Sequence, residues 1–119
     1  MTAPNGEAWA SEHTAAENLA VSSASRDGEL IIDLRGEVDD VSAAHLWSCI
    51  EIELGQGPPR VVLDLSKVSF LSSAGVTVII RLLRQLSAYG GDLVIKSPSP
   101  TAQRVLDVTG LATRLRVED

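Results

Sequence analysis

Aromatic side chains are nearly missing from this 119-residue sequence, which has one Phe, one Tyr and two Trp. Its core must therefore be built from Val, Leu, Ile and Ala, and apolar residues of all kinds reach 45%. A single cysteine, Cys49, excludes an intramolecular disulfide and agrees with a reducing compartment. Basic residues are outnumbered, 10 against 16 acidic, for a net charge of −6. They are also scattered, so no clustered face is available to displace counterions from nucleic acid. The same acidity disfavours attachment to anionic membranes. No apolar run approaches the roughly 20 residues that span a bilayer. Met1 to Ala10 has neither the basic start nor the apolar stretch of a secretory signal. A cytoplasmic protein with no nucleic-acid or membrane partner is expected.

Catalytic patterns are absent as well. No nucleophile stands near a base, no carboxylates pair in a catalytic motif, and no Gly-rich phosphate cradle can be read. His13 lies in an N-terminal tail and His45 on a helix, so the two histidines suggest neither a metal site nor a catalytic pair. Trp9, alone in that tail, does not make a stacking platform. The expectation is a chain that is not an enzyme and needs no cofactor.

What is present reads as one domain. Residues 1–18, rich in Ala, Glu, Ser, Thr and Asn without a clear period, read as a flexible tail, and 19–119 as the folded domain. Leu19 to Ala24 is a short first strand. Asp27-Gly28 is a hairpin turn, and Leu30-Ile31-Ile32-Asp33-Leu34 a strand ended by Gly36. Glu37-Val38-Asp39-Asp40 forms a polar loop, with Ser42 or Asp40 available to cap the helix that follows. Ala43, Leu46, Trp47, Ile50 and Leu54 recur at helical spacing as one buried stripe. Cys49 falls at its edge and reads as core packing, since nothing nearby in sequence would activate its thiol. Gly55-Gln56-Gly57-Pro58-Pro59 stops the helix and starts a loop.

Val61-Val62-Leu63-Asp64-Leu65 is the clearest strand, with Asp64 ordering the turn after it. A loop through Ser66 to Leu71 leads to a long helix from Ser73 to about Ala88. That helix carries a main apolar face of Val76, Ile79, Ile80, Leu83 and Leu86. Val78 and Leu82 form a second face, read as core or as partner surface. Leu93-Val94-Ile95 is a strand. Ser99-Pro100 starts a helix that ends at Gly110, and Arg114 to Val117 is an edge strand. Strand and helix alternating in this way imply an α/β layer fold with crossover connections.

Two segments carry a family resemblance. Gly36-Glu37-Val38-Asp39 lies between an apolar strand and a helix. The run from Val61 through Asp64-Leu65-Ser66, Val68-Ser69-Phe70 and Ser72-Ser73-Ala74-Gly75-Val76 follows, and Thr109-Gly110-Leu111 closes the last helix. Together they resemble the domain shared by sulfate transporters and anti-sigma factor antagonists, the STAS domain. The resemblance implies a mixed sheet of four or five strands with helices packed mainly on one face. It also implies a partner-switching role. Such a protein binds an anti-sigma factor, a serine kinase of the GHKL type, and frees a sigma factor in transcription and stress control. Phosphorylation on the serine after the motif Asp switches it off, and a serine phosphatase reverses this. Carried over, that serine is Ser73. Ser72 stands where the pattern has Asp; it keeps the capping capacity, loses the charge, and becomes a secondary acceptor.

Physical chemistry gives Ser73 two readings. A serine at a helix start caps free amides. It also sits where the helix dipole favours negative charge, so a phosphate could add about −1.5 to −2 charges there without unfolding its own domain. Both hold if Ser72 is the cap and Ser73 the switch. The expected partner surface is Glu37, Asp39, Asp40, Ser72, Ser73, Ala74, Gly75 and Val76, with Gly75 permitting a close backbone approach. The acidic loop also has a plain reading as a solvated turn in which Asp39 or Asp40 caps the next helix. A monomer or weak dimer is expected. The competing functions are a small-ligand sensor and a scaffold subunit of a stress-sensing complex, neither regulated by phosphorylation.

Overall fold

A computed structural model describes residues 11–55 and 60–119. Ten elements follow in chain order: β1 (Ser11–Ala16), β2 (Leu19–Arg26), β3 (Glu29–Val38), α1 (Asp40–Leu54), β4 (Arg60–Leu71), α2 (Ser73–Ala88), β5 (Asp92–Lys96), α3 (Pro100–Val108), a short 3₁₀ turn at Leu111–Thr113, and β6 (Arg116–Glu118). The strands make one sheet in the order β1-β2-β3-β4-β5-β6. β1, β2 and β3 pair antiparallel, and β3 through β6 pair parallel. The parallel strands advance across the sheet in one direction. Right-handed crossovers therefore deposit all three helices on the same face.

Side-chain alternation bears this out. Leu30, Ile32 and Leu34 of β3, Val61, Leu63 and Leu65 of β4, and Leu93 and Ile95 of β5 share one cluster with the buried residues of the helices. Ile31, Val62 and Val94, on the opposite face, form a small second cluster. The α/β single-domain architecture with a mixed sheet and one-sided helices is thus as expected, with one strand more than the four or five anticipated.

Within the segment 1–18 read as a tail, Ser11 to Ala16 is strand, and for those residues the reading is corrected. Ser11 to Ala16 carries no apolar alternation, yet it pairs with β2 from Ser11↔Ser23 to Ala16↔Leu19. Its backbone hydrogen bonds come from the neighbour strand, which composition does not reveal. Residues 1–10, Trp9 among them, and the Gly57-Pro58-Pro59 loop lie outside the described residues.

Two further expectations are corrected. β3 does not stop at Gly36, and Ser66 to Leu71 is strand rather than loop. The two extensions pair with each other, from Arg35↔Lys67 to Glu37↔Phe70 and Val38↔Leu71. Each extension is held by the other's backbone. Gly36 itself adopts φ of +116°, and a Cβ there would meet the Asn18 carbonyl oxygen at 2.1 Å. The β1–β2 turn is thereby seated directly on β3.

Asp27 and Gly28 both take positive φ, as the hairpin turn requires. Ser99 caps α3, accepting from the Ala102 amide at 3.1 Å with Pro100 in the first turn. Its own hydroxyl donates to the Val68 carbonyl at 2.6 Å, which ties α3 to β4. Arg81 of α2 lies 4.4 Å from the ring centroid of Trp47 on α1, a cation–π contact between the two helices. Cys49 is half-buried against the core, and burial raises its thiol pKa, with Glu53 adding to the effect.

Candidate partner-binding site

The N-termini of α1 and α2 open side by side, and the reason is local. β3 ends at Val38, and the next residue, Asp39, is the N-cap of α1. The Ser72 amide, which belongs to the N-cap of α2, donates to the Val38 carbonyl at 2.9 Å. One backbone bond therefore joins the two helix starts, and their partial positive ends share one mouth.

Of the capping candidates Asp39, Asp40 and Ser42, the α1 cap is Asp39. Asp39 Oδ1 accepts from the Ser42 amide at 2.8 Å, and the Ser42 hydroxyl takes the Asp39 amide, also at 2.8 Å. This is a reciprocal capping box with serine in the third helical position. Asn18 Nδ2 donates to the other carboxylate oxygen of Asp39 at 2.9 Å. These donors, the Ser42 amide foremost and Asn18 next, lower the Asp39 pKa from 3.8 to about 2. Asp39 is therefore occupied with structure, while Glu37 and Asp40 are exposed.

On the α2 side, Ser72 is the cap, and its hydroxyl accepts from the Gly75 amide at 3.4 Å. Ser73 is the first residue of α2 and is exposed. The capping hydroxyl and the exposed hydroxyl thus belong to neighbouring serines. Ala74 is half-buried, whereas Gly75 and Val76 are buried. Val76 is a correction: it packs in the core and is not part of an accessible partner surface. Gly75 is too close to Val38 and Leu71 to carry a side chain, with a Cβ meeting Leu71 Cδ1 at 2.5 Å and Val38 Cγ1 at 2.8 Å. It works from underneath, letting the start of α2 rest on the ends of β3 and β4. Val78 and Leu82 are buried as well, which resolves the second face of α2 as core. Asp64 accepts from the Ser66 amide at 2.9 Å, as its turn-ordering reading requires.

The structure thus brings Glu37, Asp39, Asp40, Ser72 and Ser73 to one mouth. Sequence reasoning missed four residues there. An open groove of about 470 Å³ is lined by Asp39, Asp40, Val41, Phe70 and Ser72. A second, of about 410 Å³, is lined by Glu17, Asn18, Asp39 and Val41. Val41 had a usable signal, since it interrupts the polar run from Asp39 to Ser42, whereas Phe70 adjoins Leu71 and reads as one more apolar residue of its segment. Glu17 and Asn18 had none, because their position depends on the β1–β2 turn.

Among the described residues, no group of three or more His, Cys, Asp and Glu side chains could hold a metal ion. No described helix is long and apolar enough to cross a membrane.

A one-sided α/β domain whose paired helix starts present an exposed hydroxyl has the layout of a regulatory interaction module. The chain belongs to the STAS-domain family of anti-sigma factor antagonists: the STAS domain matches residues 20–119. An anti-sigma F factor antagonist of Lysinibacillus sphaericus is 30% identical over 83 residues, spanning 69% of this chain and 71% of its own. The crystal structure of an anti-sigma factor antagonist from Mycobacterium paratuberculosis superposes with a TM-score of 0.77 at 25% identity, covering 91% of this chain and 90% of that one. The fold is also that of the anti-sigma factor antagonist SpoIIAA. Its unphosphorylated form covers 82% of this chain and 86% of its own, with a TM-score of 0.71 at 24% identity. Its phosphorylated form covers 82% and 89%, with a TM-score of 0.66.

Proposed function

We propose that this chain acts in the cytoplasm by binding an anti-sigma factor of the serine-kinase type, and that phosphorylation of Ser73 switches the binding off. The observation that carries the reading is the placement of Ser73. Its hydroxyl is exposed at the first position of α2, at the mouth shared with the start of α1. A kinase can reach it, and its phosphate would face outward into any docked surface.

The helix start favours the added charge, so the antagonist's own fold has no reason to change. The flanking residues Ser72, Ala74 and Gly75 are uncharged and offer no cation to neutralise it. A partner surface fitted to a neutral hydroxyl would instead have to strip water from a dianion. A serine phosphatase resets the state. The existence of SpoIIAA in phosphorylated and unphosphorylated forms supports the scheme by likeness of fold.

The test mixes the protein with purified anti-sigma kinases and ATP and follows intact mass and binding. Wild type is expected to gain one phosphate and release its partner. Ser73→Ala stays unmodified and bound, and Ser73→Glu binds weakly. Equal binding by the Ala and Glu variants refutes the switch.

A further inference from the structure

Only five large apolar side chains are exposed among the described residues: Val41, Ile52, Phe70, Tyr89 and Val108. Val41 and Phe70 line the same groove, and Ser72 lines it with them. Neither position is explained by stability. Val41, 67% exposed in the first turn of α1, is a β-branched residue where helix propensity and solvent both favour something else. Phe70, the only Phe of the chain, is left 47% exposed in a sequence whose core is otherwise short of aromatics. The rim around them has one sign of charge. Asp40 lines the first groove, Glu17 the second, and exposed Glu37 pairs in register with Phe70. No Lys or Arg lines either groove.

From this we infer that the anti-sigma partner docks by seating one apolar side chain between Val41 and Phe70 while its own Lys or Arg residues face Glu17, Glu37 and Asp40. The inference rests on the reading of this mouth as the partner surface, and it adds a division of labour. The apolar pair supplies adhesion, the acidic rim supplies approach and orientation, and Ser73 supplies the gate. It also fixes how the gate works. A phosphate on Ser73 would be attracted by a cationic partner at long range. Its inhibition must therefore be short-ranged, through the water it holds beside an apolar contact that has to be dry.

The experiment measures binding of the full chain to a purified anti-sigma kinase by calorimetry, using Val41→Ser, Phe70→Ser, Ile52→Ser and Ser73→Glu. Circular dichroism checks that each variant is folded. Val41→Ser and Phe70→Ser are each expected to weaken binding by about tenfold or more, as removal of a central apolar anchor does. Ile52→Ser, at least as exposed but outside the grooves, stays within about twofold. Raising NaCl from about 50 to about 500 mM weakens the wild-type complex, because it screens the rim. The block by Ser73→Glu survives that salt. Near-wild-type binding by both Val41→Ser and Phe70→Ser overturns the anchor, even if Ser73→Glu still fails to bind. If instead the two anchor variants lose binding while Ser73→Glu binds normally, the groove stands and the phosphorylation switch falls. Binding that tightens with salt overturns the cationic partner.

Discussion

Gly75→Ala tests the joint on which the site is built. A Cβ at this position would sit 2.5 Å from Leu71 Cδ1 and 2.8 Å from Val38 Cγ1. A comfortable carbon contact is about 3.5–4.0 Å, so the overlap is about 1 Å. The Leu71 methyl is the end of a flexible side chain and can turn aside. Val38 has little freedom to do so, because it is completely buried and β-branched, with restricted χ1. Overpacking of this kind costs about 1–3 kcal/mol. Against it stands a helix-propensity gain of at most about 1 kcal/mol for replacing Gly by Ala. With the full propensity gain set against it, the net expectation is a loss of up to about 2 kcal/mol, or up to roughly 10 °C in Tm for a domain of this size. Val38→Ala makes room for the new methyl. The double variant should then be more stable than the sum of the singles predicts, by about 1 kcal/mol. Urea unfolding followed by circular dichroism, on wild type, both singles and the double, measures this. A Gly75→Ala protein that melts at or above wild type, with strict additivity to Val38→Ala, would refute the close approach of α2 to β3.

Other consequences concern charge. Arg81→Ala removes the cation over Trp47 and should destabilise the fold by about 0.5–1 kcal/mol in urea, since the pair is partly solvated; Arg81→Lys should recover part of that. Asp39 has a folded pKa near 2 against an ordinary 3.8, so its carboxylate contributes stability above about pH 4 that is lost as the pH falls to 2. Asp39→Asn should therefore be less stable than wild type at pH 7 and indistinguishable from it near pH 2 in thermal melts. Asp33 behaves oppositely: burial foremost, with Asp64 adding, raises its pKa against the opposing pull of Lys67 and Arg35. Its ionised form resists folding at neutral pH, and that penalty is relieved as the pH drops towards 3.8. Asp33→Asn should be at least as stable as wild type at pH 7, with its advantage shrinking on acidification. An advantage that grows instead would show the ion pairs with Arg35 and Lys67 to dominate.

Periodicity was enough for the elements that bury apolar faces. The stripe of Leu46, Trp47, Ile50 and Leu54, the run Val61 to Leu65 and the Ser99-Pro100 start encode their structure within a few residues. Local chemistry also marked Ser72 and Ser73 as cap and exposed hydroxyl. The acidic loop was legible as a whole, yet the choice of Asp39 as cap was not. That choice depends on where β3 ends, and β3 ends late because the stretches Arg35–Val38 and Lys67–Leu71 pair with each other. Spacing did put Val76 on the apolar face of α2; only its nearness to Ser73 along the chain had also placed it in the expected partner surface.

Sequence alone determined the class of this protein, because alternating strands and helices with an apolar period admit few arrangements, and the ordered motifs select one. It also determined which hydroxyl opens a helix, since capping is decided within four residues. Only the tertiary structure decided that the β1–β2 turn, the end of β3 and the starts of α1 and α2 meet. That meeting depends on backbone hydrogen bonds between residues 19 to 34 positions apart, such as those joining Glu37 to Asn18 and Ser72 to Val38. No local pattern records bonds of that kind. Val41 and Phe70 became neighbours across one groove by the same long-range pairing.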